Sequence, residues 1–418
     1  MEKRRNQVKG VVITIIVTRT EQQVIKKSHP MWKVVDANCL YSKNLYNLAM
    51  YTIRQEIFLS GKWIHYYELD KMLQQTDAYR ELKSQPSQCT LQMVDRVWKS
   101  YFKSVKDWSK HPDKYLGKPR IPGYKDKNGR YPWFIKNNCC KILDGRLIFG
   151  VNRLKGFEWK THAQGRLICV RFIPKGCVYV MEVVTEIEIP DVEDFESKRI
   201  ASIDLGVNNL VTLTNNIGLQ PIIINGRGVK SINQYYNKQR AKLQADLKLR
   251  NKQHKSHRLE TLSYKRGQRI KNYMHNTSRR IVDYCVENNI DTLVCGLNKE
   301  WKQEVCINGK AAQHFVQLPF DMLIRQLEYK CQAACIKFLT VEESYTSGTS
   351  FLDGELPCAE NYDKSRRKHR GQFLSGQGYI NADVNGSLQI LRKAFPVAFG
   401  EGIAGDLNPV VINAAKVA

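Results

Sequence analysis

The stretch Ile200-Ala-Ser-Ile-Asp-Leu-Gly-Val-Asn-Asn209 constrains this chain more than any other. Ile200, Ile203 and Leu205 give it the apolar character of a buried strand, and Ala201 and Ser202 leave room for close neighbours. The run stops at Asp204 and turns at Gly206. A carboxylate at the end of a central strand is held rigidly where the sheet opens to solvent, a place suited to a metal ion. The competing reading is an aspartate that caps a turn. The metal reading requires further carboxylates downstream and a basic surface for a substrate, and the chain has both.

With 66 lysines and arginines against 40 acidic residues, the formal charge is +26 over 418 residues, enough chain for two or three domains. The excess is spread along the sequence, which implies a large polyanionic partner. Nucleic acid is expected rather than a membrane, because no apolar run approaches the roughly 20 residues that span a bilayer. The run Val11–Val17 is short and β-branched and predicts a strand, not a signal peptide, so a cytoplasmic location is expected. The 12 cysteines form no Cys-x-x-Cys pair and are read as buried thiols.

From about Trp32 to Leu59, Leu40, Leu45, Leu48, Ile53 and Ile57 recur on one helical face. More helix is expected at Tyr66–Leu73 and Leu91–Ser109. Gly117–Lys125 is a basic loop punctuated by proline and glycine, in which Lys118, Arg120 and Lys125 flank Tyr124. That mixture suits a phosphate backbone with a base stacked beside it, and a solvated connector is the plainer alternative. Leu167–Phe172 and Val178–Val184 predict paired strands, and Pro190–Ser197 an acidic linker.

Past Asp204, Leu210–Asn215 and Pro221–Asn225 predict the second and third strands of a meander. A basic helical region follows from about Val229 to Asn288, and its cationic tip, with Arg250 and Lys252, is read as touching nucleic-acid backbone. Next come strand Asp291–Gly296, helix Leu318–Ala333 and strand Cys335–Val341, which ends in Glu342-Glu343. A polar segment, 347–378, leads to a helix opening within Ile380–Leu391, with Asp383 in a first turn whose dipole favours a carboxylate. Three strands, then helix, strand, helix, strand, helix is the order of an RNase H-like fold, in which acids gather at one edge of a mixed sheet.

Five segments then carry a resemblance: Lys118-Pro-Arg-Ile-Pro-Gly-Tyr-Lys125, Ser202-Ile-Asp-Leu-Gly206, Asn298-Lys-Glu-Trp-Lys-Gln303, Tyr345-Thr-Ser347 and Asn381-Ala-Asp-Val-Asn-Gly386. In this order they resemble TnpB, the insertion-sequence protein ancestral to type V CRISPR effectors. The resemblance implies an RNA-guided DNA endonuclease with a multidomain α/β and α+β fold. A wedge-type β-barrel would occupy 1–31 and 115–195, an inserted helical recognition lobe 32–114, and a RuvC-like nuclease domain 196–418. The implied partners are a guide RNA from the transposon transcript and double-stranded DNA beside a transposon-adjacent motif, with the protein a monomer. The implied chemistry is phosphodiester hydrolysis by two magnesium ions about 3.5–4 Å apart. Asp204, Glu343 and Asp383 would hold them, with Asp204 bridging.

Two departures matter. Where TnpB usually has a glutamate at the end of the fourth strand, Cys295 and Gly296 stand here, and neither suits magnesium. Glu343, three residues before Thr346, resembles the glutamate of the rearranged TnpB subset and of the Fanzor proteins. Glu342 competes with it, because one residue of register swaps their faces, and Glu300 is more distant. Between Ser347 and Asp383 the paired cysteines of a zinc ribbon are missing; Thr349 stands where one might be, and only Cys358 remains. A metal-free loop at Ser347–Gly378 is therefore expected, without zinc. The vacancy at Cys295-Gly296 also supports a rival reading, a nuclease-dead RNA-guided DNA-binding protein such as a repressor. A transposase acting without RNA is disfavoured, since no His-hydrophobe-His motif is present.

Overall fold

The structure is a computed structural model and describes residues 14–191, 196–251, 255–297, 316–368, 371–399 and 405–414; at 250 and 251 it describes the backbone alone. The chain forms two compact units, the first spanning Ile16–Glu188 and the second the remainder.

The first unit opens with β1 (Thr14–Ile25) and four helices, α1 (Trp32–Ser60), α2 (Tyr66–Leu73), α3 (Asp77–Leu82) and α4 (Ser84–Lys110). The apolar recurrence along α1 buries Val35, Leu45, Ala49, Met50 and Ile53. Gly61 then ends the helix at φ +71°, its N–H donating to the Ile57 carbonyl, a conformation that favours glycine. Six strands follow: β2 (Trp133–Lys136), β3 (Cys140–Leu143), β4 (Arg146–Phe149), β5 (Glu158–Lys160), β6 (Arg166–Lys175) and β7 (Val178–Pro190). They build a four-stranded sheet in the order β1-β7-β6-β2 and a three-stranded sheet in the order β3-β4-β5. Trp98, Trp133 and Phe172 are fully buried in the shared core of helices and strands.

The second unit is built on a six-stranded mixed sheet. Its first three strands are β8 (Ile200–Leu205), β9 (Asn209–Asn215) and β10 (Ile222–Asn225), followed by the helical pair α5 (Arg227–Asn251) and α6 (His257–Glu287). After β11 (Thr292–Gly296), α7 (Phe320–Ala333) and β12 (Lys337–Val341), a hairpin of β13 (Gln372–Ser375) and β14 (Gly378–Asn381) leads into α8 (Ala382–Ala394) and β15 (Val410–Ile412). The sheet order is β12-β11-β8-β9-β10-β15, with β8, β11 and β12 parallel and β9 antiparallel to both its neighbours. Ala201, Ile203 and Leu205 pack in a core with α6 and α7, while Ile200 packs with Val384, Leu388 and Leu391 of α8. That two-residue alternation puts Ser202 and Asp204 on the α8 face.

The chain order agrees with the sequence reading, and the differences are local. The strand expected from Cys335 begins at Lys337, because Cys335 takes a left-handed φ of +56° just after α7. The segment 347–378, expected as loop, contains β13 and the first residue of β14. Ile380 and Asn381 complete β14, and the helix starts at Ala382 because the Asn381 side chain caps it, accepting from the N–H groups of Asp383 and Val384.

Candidate functional site

Three acids far apart in sequence meet near the carboxyl ends of the parallel strands. Asp204 is the penultimate residue of β8, Glu343 lies just beyond β12, and Asp383 sits in the first turn of α8. They line one cavity of about 260 Å³, with Asn209, Thr212, Thr346 and Arg367 around them. Small residues let α8 come close enough to complete this wall. The Ser202 hydroxyl donates to the Ser387 carbonyl at 2.7 Å, and a Cβ on Gly386 would lie 3.0 Å from Asp204 Oδ2.

Each acid is held by its own local structure. Asp383 accepts a 2.6 Å hydrogen bond from Asn209 Nδ2 at its Oδ2, and Arg367 Nη2 lies 3.6 Å from its Oδ1. The turn carrying Glu343 is tied at its backbone: Thr346 Oγ1 donates to the Glu343 carbonyl at 2.8 Å. Lys393 Nζ, from α8, donates to the Ser344 carbonyl at 3.0 Å and hydroxyl at 2.9 Å. Tyr345, between these ties, is held at φ +68°, a conformation that costs a side chain energy and persists because its surroundings fix it. Of the two neighbouring glutamates, Glu343 lines the cavity and Glu342 is exposed to solvent. Glu300 lies outside the described residues.

The electrostatics are those of acids crowded against their own repulsion. Burial raises the Asp204 pKa well above the ordinary aspartate value, and the charges of Glu343 and Asp383 raise it further, against a smaller opposing effect of Arg367. Burial pushes Glu343 up to about 7. Among the described residues, no three acidic, histidine or cysteine side chains are grouped tightly enough to close round a single ion. The donor chemistry nevertheless suits a hard divalent cation, because all three groups offer carboxylate oxygens and burial keeps two of them from ionising freely.

A pH dependence follows. Between pH 4.5 and about 7 an unfolded chain has released the Glu343 proton while the folded chain retains it. The folded state therefore binds more protons, and stability falls as pH rises through that window, by on the order of 3 kcal/mol from Glu343 alone. Chelator-treated protein is expected to melt at a lower temperature at pH 8 than at pH 5. Added divalent cation is expected to recover most of the loss at pH 8. Equal melting temperatures at the two pH values would contradict this account of the site.

The basic residues singled out in the sequence lie elsewhere. In the loop at 117–125, Asn47 pins the backbone of Lys125, accepting from its N–H at 2.8 Å and donating to its carbonyl at 2.9 Å. Lys125 Nζ sits 4.9 Å from the Tyr46 ring, Lys118 Nζ 5.8 Å from Trp108, and the Arg54 guanidinium 5.0 Å from Tyr124. Lys118, Arg120, Tyr124 and Lys125 are all exposed, so cation and aromatic ring are presented together at the surface. The side chain of Arg250, the whole of Lys252 and the motif Asn298–Gln303 lie outside the described residues.

Comparison with known proteins matches residues 179–302 to the OrfB_IS605 family, described as a probable transposase, and residues 320–390 to the Cas12f1-like TNB domain. A TnpB-like protein, ORF457 of Acidianus two-tailed virus, is 24% identical over 408 residues, covering 86% of this chain and 83% of its own. The chain is thus similar to TnpB-type proteins. Among solved structures, the Cas12f1–sgRNA–target DNA complex aligns with 90% of this chain and 98% of its own at 15% identity and a TM-score of 0.37. The mini-RNA-guided endonuclease CRISPR-Cas phi3 aligns with 93% of this chain and 94% of its own at 11% identity and a TM-score of 0.43.

Against the usual TnpB pattern, the geometry at Gly296 is informative. A Cβ there would lie 2.9 Å from Glu343 Oε2 and 2.4 Å from Ile390 Cδ1. The Glu343 carboxylate thus lies in space that a side chain at the end of β11 would need. The loop after Ser347 is held by other means than cysteine. Glu355 accepts from Arg366 Nη1 at 2.8 and 2.7 Å and from the Ser350 N–H at 2.7 Å, and Asp353 accepts from the Gly376 N–H. Thr349, where a cysteine might stand, is buried and donates to the Tyr345 carbonyl at 3.0 Å. Sequence reasoning missed Arg367, Asn209 and Lys393 as parts of the site. The cationic run Arg366-Arg-Lys368 was the one available signal for Arg367.

Proposed function

We propose that this chain is an RNA-guided DNA endonuclease that hydrolyses a phosphodiester of double-stranded DNA beside a transposon-adjacent motif. The observation that carries the proposal is the meeting of Asp204, Glu343 and Asp383 on one cavity at the end of an RNase H-like strand order. These carboxylates are the groups that would hold magnesium. Bound there, the ions would acidify a water and offset charge on the attacked phosphate. Asp204 faces both other acids and so is placed to share its charge between ions. Asn209 and Arg367 fix the Asp383 carboxylate, and Thr346 and Lys393 fix the turn that presents Glu343. No nucleophilic side chain is required.

Glu343 takes over the role of the glutamate missing at Gly296, as in the rearranged TnpB subset and Fanzor. In this reading 1–31 and 115–195 form the wedge barrel, 32–114 the recognition lobe and 196–418 the RuvC-like domain; the compact unit Ile16–Glu188 holds most of the first two. The protein acts as a cytoplasmic monomer with its guide; no helix among the described residues is long and apolar enough to cross a membrane. The staples from Glu355 and Asp353 do the work of zinc in the loop at 347–378. The rival reading, a nuclease-dead DNA-binding protein, draws on the absence of a carboxylate at Gly296.

Purified protein, expressed with the DNA that flanks its gene, is expected to carry one discrete non-coding RNA, to cut matching DNA with Mg²⁺, and to contain no stoichiometric zinc. RNA-dependent binding without cutting would favour the rival reading. Absence of any discrete RNA would remove the guided mechanism altogether.

A further inference from the structure

A second cavity, of about 470 Å³, lies between α5 and α6. Its volume is that of a small-molecule pocket. Four cations line it, Arg258, Lys265, Arg266 and Arg269, and no acid does. A solvated helical arm needs no such one-sided lining, and helix pairs ordinarily meet through apolar side chains.

Two tyrosines complete the wall. Tyr236 is buried, and its hydroxyl shares a 3.1 Å hydrogen bond with Ser263. Tyr235 beside it is 56% exposed. Arg266 is pre-positioned: its Nε donates to Asn233 Oδ1 at 2.8 Å, and its guanidinium lies 4.9 Å from the Tyr236 ring. Burial and the neighbouring charge of Arg240 hold its pKa below the ordinary arginine value, the mark of a cation that would gain from an anion. Thr261 Oγ1, on the same wall, is buried without a hydrogen-bond partner among the described residues. A buried hydroxyl without a partner is costly unless a ligand satisfies it.

We infer that this cleft receives one unpaired nucleotide of the RNA partner, its base against the tyrosines and its phosphate on the cations. The inference rests on the guided reading above and assigns that RNA a specific anchor on the protein. An aromatic wall calls for a planar ring, and four cations without an acid call for an anion; a nucleotide is both. The base must be unpaired, because only a base out of its stack can enter a cleft. Thr261 favours RNA over DNA, since a ribose 2′-hydroxyl can give the buried oxygen its missing partner.

The test uses the full-length protein with its copurifying RNA. Ultraviolet cross-linking with mass spectrometry is expected to find a ribonucleotide on Tyr235 or Tyr236. Tyr235→Ala, at an exposed side chain, is expected to weaken binding of that RNA about 5- to 150-fold with an unchanged melting temperature. Arg266→Gln is expected to flatten the slope of log affinity against log salt by about 0.7. Unchanged RNA affinity in Tyr235→Ala, or a deoxyribonucleotide on either tyrosine, overturns the inference. A wild-type preparation without discrete RNA instead overturns the guided reading, and the inference with it.

Discussion

Asp204→Ala is expected to abolish cleavage of guide-matched DNA, by at least about 10³-fold, while RNA and DNA binding persist. The magnitude follows because metal assistance supplies several kcal/mol and each 1.36 kcal/mol is tenfold in rate. Asp204 is the acid that both others crowd, so on the proposed reading no neighbour would replace it as a shared ligand. The same substitution is expected to raise the melting temperature in chelator, because it removes a buried acid held against like charge. A variant that is folded, more heat-stable and inactive separates a lost metal ligand from a damaged fold. Cleavage by Asp204→Ala at a rate within tenfold of the parent would sink the nuclease assignment.

Glu343→Gln is expected to have the second large effect, a loss of roughly 10²- to 10³-fold in cleavage. Glu342→Gln should keep nearly full activity, because that side chain is exposed and lines no part of the cavity. Gly296→Ala tests the same geometry from the other side. Its Cβ would press on Ile390 Cδ1 and Glu343 Oε2, 2.4 and 2.9 Å away. Overpacking of this kind costs about 1–3 kcal/mol, and a catalytic group displaced by an ångström loses about 10²-fold in rate. Expected, therefore, is a variant both less stable and slower, with Glu342→Gln as the silent control. If Glu342→Gln is dead and Glu343→Gln active, the two glutamates exchange roles.

How far the site could be read from sequence depends on how locally each residue is determined. Asp204 was legible because strand alternation and the turn at Gly206 fix it within a few residues. Asp383 was legible for the same reason: Asn381 caps α8 and places it in the first turn. The choice between Glu343 and Glu342 was not, because beyond the last paired residue of β12 the pleat no longer dictates a face. A turn tied by Thr346 and Lys393 dictates it instead, and Lys393 lies 50 positions further on. Arg367 was illegible because nothing local directs it towards Asp383; the fold of the loop brings it there. The β13–β14 hairpin within the polar segment escaped for a related cause. Its strands are four residues each, too short for a periodic signal to stand out.

The Gly296–Glu343 contact has a consequence for descent. The first side-chain carbon of a glutamate at 296 would lie 2.9 Å from Glu343 Oε2 and 2.4 Å from Ile390 Cδ1, so a chain carrying both acids would need the ends of those two side chains to shift. On the proposed reading, a chain on the way from one arrangement to the other would need those two side-chain ends to give way before both acids could stand together. By the same reading, surveys that count acids column by column would place such chains among the dead, and a glycine at the end of β11 would be the cheaper flag that the acid stands on the neighbouring strand.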